Sequence, residues 1–405
     1  MAYFSELRDN WRPLLAATVG IGTGMSTAGT ITSVLAPSLI AGNGWAKADF
    51  AAVGMLGLFS TLAFPFIGRL ADVLGVRWTA LIGQVTLPLT YLAYATIMDG
   101  NLSTYMAIFV VQSVLAVTTT ATVYTRLAVE FFARSRGLAL AIVVSGSAIF
   151  GAIGGPILNN YVEASGWEAT YRALAVFATV AAVVVFLLIP KGAGLPRKDA
   201  PKRRARDDYP MIFRSPAFWI LAGVMLLCNL PQTLLLVQLK LLLLDNGVSG
   251  PGASIMFTAL SVGMLTGRFV TGLALDRFEP YLVAFITLGL PSLGIFLVAS
   301  SLDGSAILTF AVFCMGFAFG AEGDIVAFLV AKRFGLGVYS SVMGLLTAIM
   351  SLSTSLGAGL LGLTLARTGN YNLFLMISGT SVLVGATLLL ALRKGNSAQA
   401  PLTSI

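Results

Sequence analysis

The chain has 405 residues, 57% of them hydrophobic and only 10% charged, with a net charge of +8. A water-soluble globular chain carries about 25% charged residues, so this composition, with a mean hydropathy of +0.89, leaves too little polar surface for water and predicts an all-α integral membrane protein. There is no histidine, which excludes a His-based metal site and a His proton relay, and Cys228 and Cys314 both lie in apolar runs that suggest neither a disulfide framework nor a metal site.

In chain order, residues 5–12 form a short polar lead-in with no cleavage signature. A spanning helix needs roughly 20 apolar residues. On that criterion spans 1 to 6 fall near 13–40, 50–70, 78–98, 103–127, 137–160 and 170–190, and spans 7 to 12 near 216–243, 252–275, 280–300, 305–331, 338–364 and 371–392. The expected organisation is an N-terminal six-helix bundle (1–190), a basic, Pro-containing linker (191–215) and a C-terminal six-helix bundle with a short tail (216–405). Of the 25 Lys and Arg residues, 20 fall on one side of this arrangement, in the lead-in, the linker, the tail and alternate loops. That bias marks the side as cytoplasmic and places both termini there. The basic residues are therefore topology signals rather than a nucleic-acid surface. Short loops and tails fit a protein of a bacterial inner membrane.

Arg268 lies well inside span 8, nine residues before Arg277. An arginine at bilayer depth is costly, so it faces a polar cavity and has a partner. Span 10 supplies Glu322 and Asp324, ten and eight residues before Lys332. At about 1.5 Å per residue all three sit at similar depth, and the two acids, about 200° apart around the helix, cannot both face one cavity centre. One reading makes an acid a proton site and counter-ion to Arg268; the other is a static ion pair holding spans 8 and 10 together. Further polar candidates for a cavity lining are Asn229 and Gln232, flanking Pro231 in span 7, Thr27 in span 1, Thr118–Thr120 and Tyr124 in span 4, and Ser351 in span 11. Ser and Thr in membrane helices commonly bond back to their own backbone. Gly146, Gly151, Gly154 and Gly155 of span 5 are expected to admit a neighbouring helix, with Pro156 bending the helix end.

The loop after span 2, Gly68-Arg-Leu-Ala-Asp72…Gly75-Val-Arg77, and the loop after span 8, Gly272-Leu-Ala-Leu-Asp276-Arg277, both place an Asp four residues after a Gly. The first resembles the signature loop of the major facilitator superfamily. The resemblance implies two pseudo-symmetric six-helix bundles and a gating latch, with Asp72 near the start of span 11 and near Arg126, and with Asp276 in the corresponding place. The junction entering span 5, Phe131-Phe-Ala-Arg-Ser-Arg-Gly-Leu-Ala139, resembles the monocarboxylate transporter branch, which includes oxalate–formate exchangers. There an arginine in span 8 binds the substrate carboxylate, and Arg268, four residues before Gly272, stands at the expected place. The same branch places substrate-lining residues near Tyr124. Two departures are visible: residues 20–26 of span 1 carry neither acid nor Trp, and Met264 stands where animal members have an acid. Span 11 has no lysine to bind a second carboxylate.

Together these residues lead to a secondary active transporter moving small organic anions, a monocarboxylate with protons, by alternating access. Arg268, Tyr124, Asn229, Gln232, Thr27 and Ser351 would contact substrate, Glu322 and Asp324 would couple protons, and Asp72, Arg126 and Asp276 would gate. A proton-driven exporter of drugs or lipophilic cations, with Arg268 structural, is the alternative; a non-transporting sensor would need a soluble domain. No cofactor, enzyme activity or obligate protein partner is expected: no Gly-rich phosphate loop with Lys-Ser/Thr is present.

Overall fold

The computed structural model describes every residue except 1, 46–49, 51, 196–204, 236–238, 240–241, 244–245, 249, 301–303 and 395–405. Lys47, Lys240 and the middle of the linker, which carry part of the charge-bias argument, lie outside the described residues, as does the Pro156 side chain.

Among the described residues all regular structure is helical. Ten helices are long and apolar enough to cross a bilayer, and the pair Asp207–Arg214 and Pro216–Cys228, bent by 71°, passes the same test if taken together. One of the ten, Leu58–Thr96, is two helices in succession, so it holds spans 2 and 3. They meet at Gly75, whose φ of 76° is open to a residue without Cβ. A second glycine turn, Gly166 (φ 79°), separates spans 5 and 6 within Arg136–Leu188. The chain thus turns at Gly166, ten residues beyond Pro156.

The chain divides into two compact units: Met1–Ser135, Ile142–Lys202 and Leu336–Leu345 in the first, Arg136–Ala141, Arg203–Gly335 and Leu346–Ile405 in the second. The first has an aromatic core in which the Tyr94 ring lies 4.7 Å from Tyr105 and 4.8 Å from Tyr171, over Leu35 and Leu39. Two of its spans are interrupted. Span 1 breaks at Gly24 between Trp11–Gly22 and Ala28–Asn43, and span 4 breaks at Thr120 between Leu102–Leu115 and Ala121–Phe131. The breaks meet: the Met25 N–H donates to Thr119 Oγ1 at 2.9 Å, which gives a freed backbone group the partner that hydrocarbon would deny it. Thr118, Thr119 and Thr120 each donate back to a carbonyl three residues earlier.

The lead-in is helical, Ala2–Asp9. Its Glu6 carboxylate accepts from the N–H groups of Ala133 (2.9 Å) and Ser135 (2.8 Å) and from the Ser135 hydroxyl (2.7 Å). Partial burial raises the Glu6 carboxyl's proton affinity, but these donors together outweigh it and hold its pKa below the ordinary glutamate value. The basic linker has structure at both ends. Its first turn is bound within the first unit: Val76 N–H donates to the Ala193 carbonyl (3.1 Å), Arg126 Nη2 donates to the Gly194 carbonyl (2.9 Å), and Gly194 N–H donates to Glu130 (2.7 Å). Its last part is the helix Ala205–Arg214, with Asp207 and Asp208 in the first turn and Arg214 in the last, charges that suit the helix dipole.

In the second unit, spans 8 and 10 touch backbone to backbone. Cβ atoms added at Gly263 and Gly267 would run into the carbonyls of Phe313 and Phe317, and those at Gly316 and Gly320 into the carbonyls of Leu260 and Met264. Two Gly-x-x-x-Gly pairs therefore face one another, the small-residue solution to helix packing where lipid removes the hydrophobic drive. The span-5 glycines behave differently from the sequence expectation. Gly146 does pack closely, on the Thr18 carbonyl, but Cβ atoms added at Gly151 and Gly155 would make only ordinary contact with Thr30, at 3.8 and 3.9 Å, and one added at Gly154 would meet nothing within 4 Å. Gly154 borders an apolar groove beside Ile149, Ile153 and Phe177, while Gly151 and Gly155 line a separate pocket with Thr30.

Two outcomes follow. Gly320→Leu forces spans 8 and 10 apart and costs about 1–3 kcal/mol or more, whereas Gly154→Leu is tolerated; thermal unfolding of the detergent-purified variants measures both. Glu6→Gln lowers the unfolding temperature at neutral pH. Because the folded-state pKa of Glu6 is depressed, its contribution is present above the unfolded value of about 4.3 and disappears as pH falls through the folded value, so the two proteins converge on acidification.

Candidate functional site

Span 10 is one uninterrupted helix, Ser305–Phe334, and it carries both intramembrane acids. Two positions apart, they point to different neighbours, Asp324 towards span 8 and Glu322 towards span 7.

Arg268 lies in the helix Gly250–Arg277. The glycine contacts bring its backbone against span 10, so Nε donates to the Gly320 carbonyl at 2.9 Å and lies 3.6 Å from Asp324 Oδ2. The Asp324 side chain is fully buried and that of Arg268 is 14% exposed. Among the described residues neither Nη nitrogen of Arg268 has a hydrogen-bond partner. The guanidinium is thus held from one side by a carbonyl and a carboxylate, with its fork free.

Among the described residues Glu322 has no cation beside it. The helix Pro216–Cys228 ends just before Asn229, and the chain turns there, the Gln232 N–H donating to the Asn229 carbonyl at 3.1 Å, because Pro231 cannot supply a backbone donor. The turn aims both amides at span 10: Asn229 Nδ2 donates to Glu322 Oε1 and Gln232 Nε2 to Oε2 at 2.6 Å. Sequence reasoning placed Asn229 and Gln232 in a substrate-lining role; the structure engages both with Glu322, since a buried carboxylate with no cation beside it takes the nearest neutral donors. A small, partly open pocket adjoins this fork.

Of the other sequence candidates, Ser351 also belongs to the second unit, and among the described residues its hydroxyl makes no hydrogen bond. Thr27 and Tyr124 belong to the first unit. Thr27 Oγ1 donates to the Gly24 carbonyl at 2.9 Å and borders a cavity with Thr23 and Thr30. Tyr124 is fully buried against Gly20, and its hydroxyl accepts from Gln84 Nε2 at 2.7 Å, leaving Gln84 Oε1 buried and unpartnered. Gln84 was missed, although a glutamine in the middle of an apolar span is itself a signal.

The two repeated loops have the same geometry. Asp72 pairs with Arg126 and accepts from the N–H groups of Ser340 (3.0 Å) and Ser341 (2.7 Å), at the start of the helix Tyr339–Thr368. Asp276 accepts from the N–H groups of Gly137 (2.6 Å) and Leu138 (3.1 Å), at the start of Arg136–Leu188. In each case a carboxylate satisfies free N–H groups at a helix N-terminus. The glycine four residues earlier makes room, Gly68 against the Ser340 carbonyl and Gly272 against that of Gly137. The resemblance implied that Asp72 lies near the start of span 11; the particular N–H groups of Ser340 and Ser341 carry no residue-type signal.

The sequence profile of the Major Facilitator Superfamily matches residues 14–321, more than half of the chain. Among curated proteins, the chain is 25% identical over 348 residues to the MFS transporter asaE of Aspergillus flavus, covering 81% of this chain and 74% of that one. It is 26% identical over 274 residues to monocarboxylate transporter 11 of Homo sapiens, covering 65% of this chain and 58% of the relative. Among solved structures, the human organic anion transporter MFSD10 superposes with a TM-score of 0.74 at 16% identity, over 94% of this chain and 99% of that one. With its helical spans and paired signature loops, the chain belongs to the Major Facilitator Superfamily, and it is a multi-pass membrane transporter rather than an enzyme.

Proposed function

We propose that this transporter moves small organic anions, monocarboxylates together with protons, and that Arg268 is the carboxylate anchor. The observation that carries the reading is the free Nη fork of a guanidinium held inside a membrane span by Gly320 and Asp324. A guanidinium fork matches a carboxylate with two parallel hydrogen bonds. The static-pair reading loses its purpose, because spans 8 and 10 already touch through four glycines. The partial similarity to monocarboxylate transporter 11 points the same way. In this reading both termini are cytoplasmic, the two six-helix bundles alternate access, and Asp72 with Arg126, and Asp276, gate by holding and releasing helix N-termini. Tyr124, Thr27 and Ser351 remain candidate contacts. Export of lipophilic cations is the second reading, and the apolar groove beside Gly154 favours it.

A thermal-shift panel on detergent-purified protein decides between them. A ligand at 100 times its dissociation constant stabilises by about 2.7 kcal/mol. Short monocarboxylates stabilise the wild type, Arg268→Lys weakens their binding about tenfold or more by losing the fork, and the charge-balanced pair Arg268→Gln/Asp324→Asn stays folded and loses the shift. Stabilisation by lipophilic cations alone would replace the anion reading with the exporter.

A further inference from the structure

Span 10 carries two buried carboxylates in unlike surroundings, and the difference assigns their roles. Asp324 stands 3.6 Å from Arg268, and a proton on it would leave a guanidinium inside the membrane without its counter-charge. Glu322, 6% exposed, has among the described residues only the amides of Asn229 and Gln232 as partners. A proton on Glu322 leaves no charge unpaired. A flip of the Asn229 amide, whose Oδ1 is fully buried and has no hydrogen-bond partner among the described residues, would turn an acceptor to the new O–H. The amide fork therefore serves both states, donating to the carboxylate and accepting from the carboxyl.

The groups that face Glu322 are few. Span 7 contributes Asn229, Gln232 and Cys228, whose thiol borders the same space. Span 9 contributes Leu288, Pro291 and Ile295, and span 10 contributes Met315 and Phe319 beside Glu322 itself. Among the described residues Cys228 is the only other ionisable group lining this space, and it is uncharged as a thiol.

We infer that Glu322, held by the Asn229–Gln232 amide fork, is the group that takes up and releases the transported proton, and that Asp324 is the fixed counter-ion of Arg268. The assignment rests on the proton coupling proposed above and narrows it from two acids to one. It also places the proton and the anion on opposite sides of span 10, so that the two loads communicate through that helix rather than by touching.

The test is an acid-to-base infrared titration of the full-length protein in micelles, which needs no substrate. The wild type is expected to show one buried protonated-carboxyl band that titrates. The band is lost in Glu322→Gln, kept in the charge-balanced Arg268→Gln/Asp324→Asn variant, and moved to higher pH in Gln232→Leu, which removes a donor from the ionised form. A band that survives Glu322→Gln, or one that disappears with Asp324, overturns the assignment. Reconstituted vesicles then separate this from the broader reading. Loss of pH-gradient-driven monocarboxylate uptake in Glu322→Gln, with exchange retained, supports both. A Glu322 band in a protein whose uptake ignores the gradient overturns proton coupling while leaving the titrating group identified.

Discussion

Charge inside hydrocarbon must be compensated locally, and this one constraint organises the molecule. Away from bulk water a carboxylate or guanidinium persists only with a partner from the chain or a polar cavity beside it. The structure uses three kinds. Asp72 takes Arg126 together with two N–H groups at a helix start. Asp324 takes Arg268. Glu322 takes two neutral amides. A carboxylate on a cation is a fixed charge, whereas one held by neutral donors can be neutralised without stranding its neighbour. The chemistry available to each acid is set by its partner, not by its residue type.

Close backbone packing makes these pairings geometric. The side chain of Arg268 reaches Gly320 and Asp324 because the glycines of spans 8 and 10 remove the Cβ atoms that would hold the helices apart. The same device recurs at Gly68 and Gly272, where a helix start is brought onto the carboxylate four residues later. Where spans are interrupted, at Gly24, Thr120 and Asn229, the freed backbone or amide groups find partners on another interrupted span or on a buried acid. Irregular backbone in these spans coincides with polar chemistry, as expected when it can persist only beside groups that satisfy it.

Much of the fold and part of the site were legible in the residues. Composition and the spacing of apolar runs led to a helical membrane protein. Counting from the basic residues set Arg268, Glu322 and Asp324 at one depth, and helical geometry required the two acids to face apart, which is how they lie. The repeated Gly-to-Asp spacing marked two loops that turned out to share a hydrogen-bonding pattern. The partner choices were not legible: that Asn229 and Gln232 would both donate to Glu322, and that Tyr124 would lie under Gly20 and bond Gln84, follows from no single residue.

The sequence by itself determined the membrane location, the helical spans and the depth of each charge, because hydropathy and rise per residue are properties of a single segment. Only the tertiary structure decided which acid received a cation and which received amides, which glycines were contacts and which bordered a groove, and which backbone N–H groups the loop carboxylates would bind. Those outcomes depend on rotation and approach between helices, and no single segment encodes the position of its neighbour.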